Sequence, residues 1–121
     1  MTDTFAYKIL REAEATLFDK KGLFTGSPVD VQDGFIHLSL AGQIQGTLDK
    51  HYTDGSELRL IEVELAACTG EVKFEVSRDG AKFPHLFGIL YKDATRRVWP
   101  LRADTSGRYA LPSDLPKILE A

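Results

Sequence analysis

Along the first third of the chain the apolar positions change period twice. Phe5, Tyr7 and Ile9 alternate with Ala6, Lys8 and Leu10, a period of two that predicts a strand. Arg11 to Lys21 is rich in helix formers and stops at Gly22, a residue suited to the left-handed turn that closes a helix. Residues 22–34 are rich in Gly, Ser, Pro and Asp and read as a loop. Phe35 to Ser39 predicts a second short strand. Ala41 to Tyr52 then carries Ile44, Leu48 and Tyr52 at i, i+4 and i+8, the single apolar stripe of an amphipathic helix.

The second half returns to alternation. Leu58 to Ala66 sets Ile61, Val63 and Leu65 on one face and Glu62 and Glu64 on the other. Val72, Phe74 and Val76 alternate with Lys73, Glu75 and Ser77, which predicts a strand with one wet face. An apolar stretch opened by Pro84 runs from Phe83 to Tyr91, and Arg97 to Arg102 predicts a further strand. Asp33-Gly34, Asp54-Gly55, Arg78-Asp79-Gly80 and Ser106-Gly107 punctuate these segments as turns. Two helices in the N-terminal half, followed by several strands, predict an α+β fold with a mainly antiparallel sheet rather than repeating βαβ units.

Composition narrows the picture without naming a function. The 121 residues, with no repeat, linker or low-complexity run, fit one domain over 1–121. Apolar runs are only a few residues long, too short for a membrane span, and the N-terminus shows no secretory pattern. A single cysteine, Cys68, excludes an intramolecular disulfide, so a cytoplasmic location is expected. A net charge of −3, with Lys20-Lys21 and Arg96-Arg97 as the adjacent basic pairs, argues against an extended nucleic-acid face.

The chemistry concentrates in two histidine-bearing segments. In Asp33-Gly34-Phe35-Ile36-His37-Leu38-Ser39, strand alternation sends Ile36 and Leu38 to the core and leaves His37 and Ser39 on the opposite face, just before a helix. Side chains at i and i+2 run parallel, so both can touch one ligand more easily than each other. The competing reading makes Ser39 a helix N-cap and His37 a structural residue. In Lys82-Phe83-Pro84-His85-Leu86-Phe87-Gly88, a stiff apolar loop is expected to carry His85. Glu75, on the polar side of its strand, is the candidate catalytic carboxylate, against the simpler reading of a solvated surface acid. The three histidines and Cys68 lack paired metal-ligand spacing, so no metal site is expected.

Tyr7-Lys8-Ile9-Leu10, Gly34-Phe35-Ile36-His37-Leu38-Ser39 and Phe83-Pro84-His85-Leu86-Phe87-Gly88 occur in the order and spacing of a bacterial family known as domain of unknown function 952, which the chain resembles over nearly its whole length. That resemblance implies a small ADP-ribosyltransferase-like α+β fold, a split β core that in its relatives clamps NAD. A narrower similarity is to RNA 2′-phosphotransferases, which carry a His-Leu-Ser stretch like His37-Leu38-Ser39 in the NAD pocket, after a Gly-Leu like Gly22-Leu23. Their first strand reads Tyr-His-Gly-Thr, whereas here it reads Tyr7-Lys8-Ile9-Leu10. The resemblance implies a nucleotide or NAD-type ligand positioned by His37 and Ser39 and enclosed by His85, with Glu75 acting in ADP-ribosyl transfer. The alternative is a non-catalytic module for a small anionic metabolite or a peptide.

Overall fold

The alternation over the first strand becomes a strand buried on both faces, and this decides the architecture. A computed structural model describes residues 4–77 and 80–115. In it β1 (Phe5–Arg11) pairs antiparallel with β4 (Leu58–Glu64), and β4 pairs with β8 (Thr95–Leu101). Ala6 and Leu10 enter one core with Phe18, Ile36, Ile61 and Leu86. Tyr7 and Ile9 enter a second core with Ile44, Leu48, Leu58 and Leu60. The sheet of β1 and β4 is therefore a partition between two apolar layers. The Glu62 side of β4, expected to be polar, lines that second core, and Glu62 is only 1% exposed.

Two smaller sheets complete the α+β fold. β3 (Ile36–His37), β6 (Lys82–Phe87) and β5 (Glu71–Val76) lie in that order, and β2 (Leu23–Phe24) pairs with β7 (Leu90–Tyr91). Every pairing is antiparallel. Tyr7 and Ser39 form an isolated antiparallel bridge, their backbones exchanging hydrogen bonds of 2.7 and 2.9 Å. β5 is an edge strand. Val72 packs against the first core, while Phe74 and Val76 on the same side remain exposed. Among the described residues no helix is long and apolar enough to cross a membrane. Of the expected turn at 78–80, Arg78 and Asp79 lie outside the described residues.

The expected helices form with shifted ends. α1 (Glu12–Lys21) buries Ala15 and Phe18 and closes at Gly22, whose φ of 74° lets its N–H reach the Phe18 carbonyl. A 3-10 turn (Ala41–Gln43) leads into α3 (Ile44–His51), which buries Ile44 and Leu48. The capping bond falls at Leu40, whose N–H donates to Gln43 Oε1 at 2.9 Å, so Ser39 is not the N-cap.

Two segments differ from expectation in kind. Residues 22–34 hold β2 and a short helix, α2 (Pro28–Asp33), instead of a loop. Ser27 and Asp30 cap α2 reciprocally: the Asp30 N–H donates to Ser27 Oγ at 3.4 Å and the Ser27 N–H to Asp30 Oδ2 at 2.9 Å. Val29 and Val31 are exposed, so α2 has no apolar stripe to announce it. His85 stands on a strand, β6, and not on a loop. The Leu38 N–H donates to the Pro84 carbonyl at 3.0 Å, which places the side of Pro84 lacking an N–H towards β3. The next rung is missing, and β3 ends at His37.

Candidate functional site

Asp30 organises one end of the molecule. Its Oδ1 accepts from the backbone N–H of His37 at 3.1 Å and from His37 Nδ1 at 2.6 Å; its Oδ2 accepts from the Ser27 N–H and from Lys8 Nζ at 3.0 Å. The Lys8 and Asp30 side chains are 7% and 1% exposed. Burial alone would push the Asp30 carboxyl up. The His37 hydrogen bond, the Lys8 charge and the backbone N–H groups of Ser27 and His37 outweigh it and hold Asp30 well below the usual aspartate range. Lys8 also donates to the His37 carbonyl at 3.1 Å. One cation thus fixes both the carboxylate and the strand that carries the histidine.

His37 and His85 are directly opposed across β3 and β6, with ring centroids 5.5 Å apart. The second ring nitrogen of His37 lies 3.0 Å from Asp33 Oδ2, so both of its nitrogens face carboxylates. His85 Nδ1 lies 2.9 Å from Glu75 Oε1, and its Nε2 is buried with no hydrogen-bond partner among the described residues. Phe35 stacks on the His85 ring at 4.0 Å and 21°, and tilts against His37 and Phe87 at 4.6 and 5.2 Å. A cleft of about 300 Å³ opens beside this cluster between Thr25, Val31, Gly34 and Gly88, with Asp30 and Phe35 in its wall.

Of the four residues singled out in the sequence, His37, His85 and Glu75 share one face of the β3–β6–β5 sheet. Ser39 is buried, and its hydroxyl lies 3.2 Å from Thr47 Oγ1 on α3. Phe35 joins His37 on the face that strand alternation gives it, and Lys8 and Asp30 belong to the cluster without having been marked by the sequence as site residues. The Ser27-Pro28-Val29-Asp30 capping pattern was the available signal for Asp30. Nothing in the sequence marked Lys8 as buried, because an alternating strand with a lysine ordinarily turns it to water. Among the described residues, no group of three or more His, Cys, Asp or Glu is placed to hold a metal ion.

A second buried carboxylate lies in the other core. Glu62 accepts from Arg97 through both oxygens, at 3.1 and 3.0 Å, and from the Tyr7 hydroxyl at 3.0 Å. The Arg97 guanidinium lies over the Trp99 ring at 5.3 Å. Every charge there is matched, and the cluster ties β8 to β4 and β1.

These features define an α+β protein of antiparallel sheets with two carboxylate–imidazole pairs on one sheet face. The chain belongs to the family described as "Protein of unknown function (DUF952)", whose profile matches residues 9–98. It is similar to the crystal structure of protein CC0527 from Caulobacter crescentus, at 40% identity and a TM-score of 0.81, over 88% of this chain and 94% of that one. The solution NMR structure of the same protein matches at 40% identity and a TM-score of 0.75, over 88% and 91% of the two chains. No curated protein matches the chain.

Proposed function

We propose that the chain binds a small anionic ligand of nucleotide type, NAD or ADP-ribose being the first to test, at the face formed by Phe35, His37, His85 and Glu75. The observation that carries this reading is the Nε2 of His85. It is a buried polar atom with no protein partner among the described residues, on a ring whose other nitrogen is anchored to Glu75. Buried polar atoms are nearly always satisfied, and those left over concentrate where a water, ion or ligand completes them. The aromatic surroundings suit a base or a ribose, since the Phe35 ring stacks on the imidazole and Phe87 lies against Phe35. Lys73, half exposed over the Phe87 ring at 5.0 Å, is a cation within the same face that a phosphate could meet. Glu75, 44% exposed on its side chain, is the carboxylate open to a ligand hydroxyl and the residue to test in ADP-ribosyl transfer. Ser39 would contribute its hydroxyl only by exchanging its bond with Thr47.

The alternative, a binding module without turnover, is favoured by Lys8. It occupies the first-strand position where the phosphotransferase resemblance calls for a cofactor-contacting histidine, and its ammonium is committed to Asp30 and the His37 carbonyl. An amide-shift NMR titration with NAD, ADP-ribose and inorganic phosphate tests both. Shifts centred on residues 35–37, 75 and 85 with NAD or ADP-ribose support the site, and conversion of NAD separates enzyme from binder. Saturating NAD and ADP-ribose without a shift at any of these residues would end the nucleotide reading.

A further inference from the structure

We infer that His85 reads a neutral hydrogen-bond donor on the ligand, a hydroxyl or an N–H, through Nε2; the ligand class is then a ribosyl or polyol compound and not a bare phosphate or carboxylate. This deepens the binding site proposed above and rests on it.

The neighbours of the His85 ring select its tautomer. Glu75 Oε1 lies 2.9 Å from His85 Nδ1, and an ionised carboxylate only accepts, so Nδ1 carries the proton and donates. Nε2 then holds either a lone pair or a second proton. A second proton would make a buried cation whose outer N–H meets no acceptor, in a ring whose side chain is 4% exposed. Leaving a charged donor unsatisfied costs more than leaving an acceptor unsatisfied. The arrangement of least cost is therefore Nδ1–H towards Glu75 and a lone pair on Nε2. That lone pair accepts from a hydroxyl directly, whereas an oxyanion would have to bring a proton onto Nε2 to bind there.

The surroundings fit this role. Phe35 stacks on the His85 ring and His37 meets it in a T-shaped contact. Phe35 is itself only half-buried and follows Gly34, whose φ of 89° lies in the left-handed region. Glu75 acts here as a positioning residue, fixing which nitrogen of His85 is free, and need not touch the ligand itself.

The test begins on the free protein. Imidazole 15N spectroscopy is expected to show His85 protonated at Nδ1 and bare at Nε2, and Glu75→Ala is expected to redistribute the tautomers. A proton resident on Nε2 in the free protein overturns the inference while leaving the binding site intact. AMP, 2′,3′-dideoxy-AMP and inorganic phosphate are then titrated in parallel. AMP should shift His85 Nε2, the dideoxy compound should bind roughly tenfold more weakly, the size of one lost hydrogen bond, and phosphate should leave Nε2 unmoved. Equal binding of AMP and its dideoxy analogue, or a phosphate-induced shift of Nε2, overturns the inference alone. No response to AMP, NAD or ADP-ribose overturns the site and the inference together. His85→Gln, which keeps an acceptor near the Nε2 position, should bind AMP more tightly than His85→Asn, which keeps only the donor facing Glu75. The reverse order counts against the inference even if both variants are somewhat less stable.

Discussion

Lys8 and Asp30, twenty-two residues apart, form a buried ion pair of 3.0 Å at the junction of β1, α2 and β3. Two buried charges lose their hydration, and they persist here because each is completed by other groups: Asp30 by Ser27 and His37, Lys8 by the His37 carbonyl. Removing one partner strands the other. Lys8→Met is expected to lower stability by about 3–5 kcal/mol in urea unfolding. Combining it with Asp30→Asn should recover part of that loss, because no uncompensated charge remains. A loss below about 1 kcal/mol for Lys8→Met would show that the pair is open to water.

The same carboxylate predicts an acid limb. The pKa of Asp30 is lowered in the fold, so its contribution is complete above the ordinary aspartate value of about 4 and drains away as pH falls through the lower folded value. Unfolding free energy measured against pH should fall steeply below about pH 4. In Asp30→Asn that limb should be shallower, and an unchanged slope would assign the acid sensitivity to other carboxylates.

Tyr7 predicts the alkaline side. Its phenol is pushed above the ordinary tyrosine value by burial first, then by its hydrogen bond to Glu62 and that residue's charge. A group whose folded pKa is raised stabilises fully below the unfolded value, about 10, and loses that contribution as pH rises towards the folded one. Burial also pushes Tyr52 up to about 12, so ultraviolet titration should find Tyr7 and Tyr52 both resisting ionisation well beyond the ordinary tyrosine range. Tyr7→Phe should lower the number of late-titrating tyrosines by one, at a cost of about 1 kcal/mol for the lost hydrogen bond.

Gly70 sets the hairpin that presents Glu75 to His85. A Cβ at this position would lie 2.4 Å from the Phe87 carbonyl oxygen and 3.0 Å from the Gly88 Cα, both backbone atoms. Gly70→Ala is expected to force β5 and β6 apart where they begin to pair, costing about 1–3 kcal/mol and moving the His85 and Glu75 resonances in NMR spectra. Wild-type stability and unchanged shifts would mean that the hairpin accommodates the methyl group by a local adjustment.

Much of the chain announced itself through period alone. The strand from Phe5, the helix stopped at Gly22, the stripe of Ile44 and Leu48, and the alternating strands of the second half all stand close to where the pattern sets them. The first histidine segment was legible as well, since Ile36 and Leu38 bury as alternation requires and leave His37 on the other side, whereas the second, expected as a loop, is the strand β6. α2 was not legible. Its apolar residues face water, and only a capping pattern with Asp in the third position marked it.

What the sequence determined is therefore local: which segments extend or coil, and which of their faces are apolar. Only the tertiary structure decided that β1 and β4 have a core on each side. That burial turns Lys8 and Glu62 from ordinary surface charges into paired interior ones. It also took long-range pairing to set His37 opposite His85, to bring Glu75 to one imidazole and Asp30 to the other, and to send the Ser39 hydroxyl to Thr47. The physical reason is that periodicity reports the side of a segment on which a residue lies. Whether that side meets water, a second apolar layer or an opposite charge depends on partners tens of residues away.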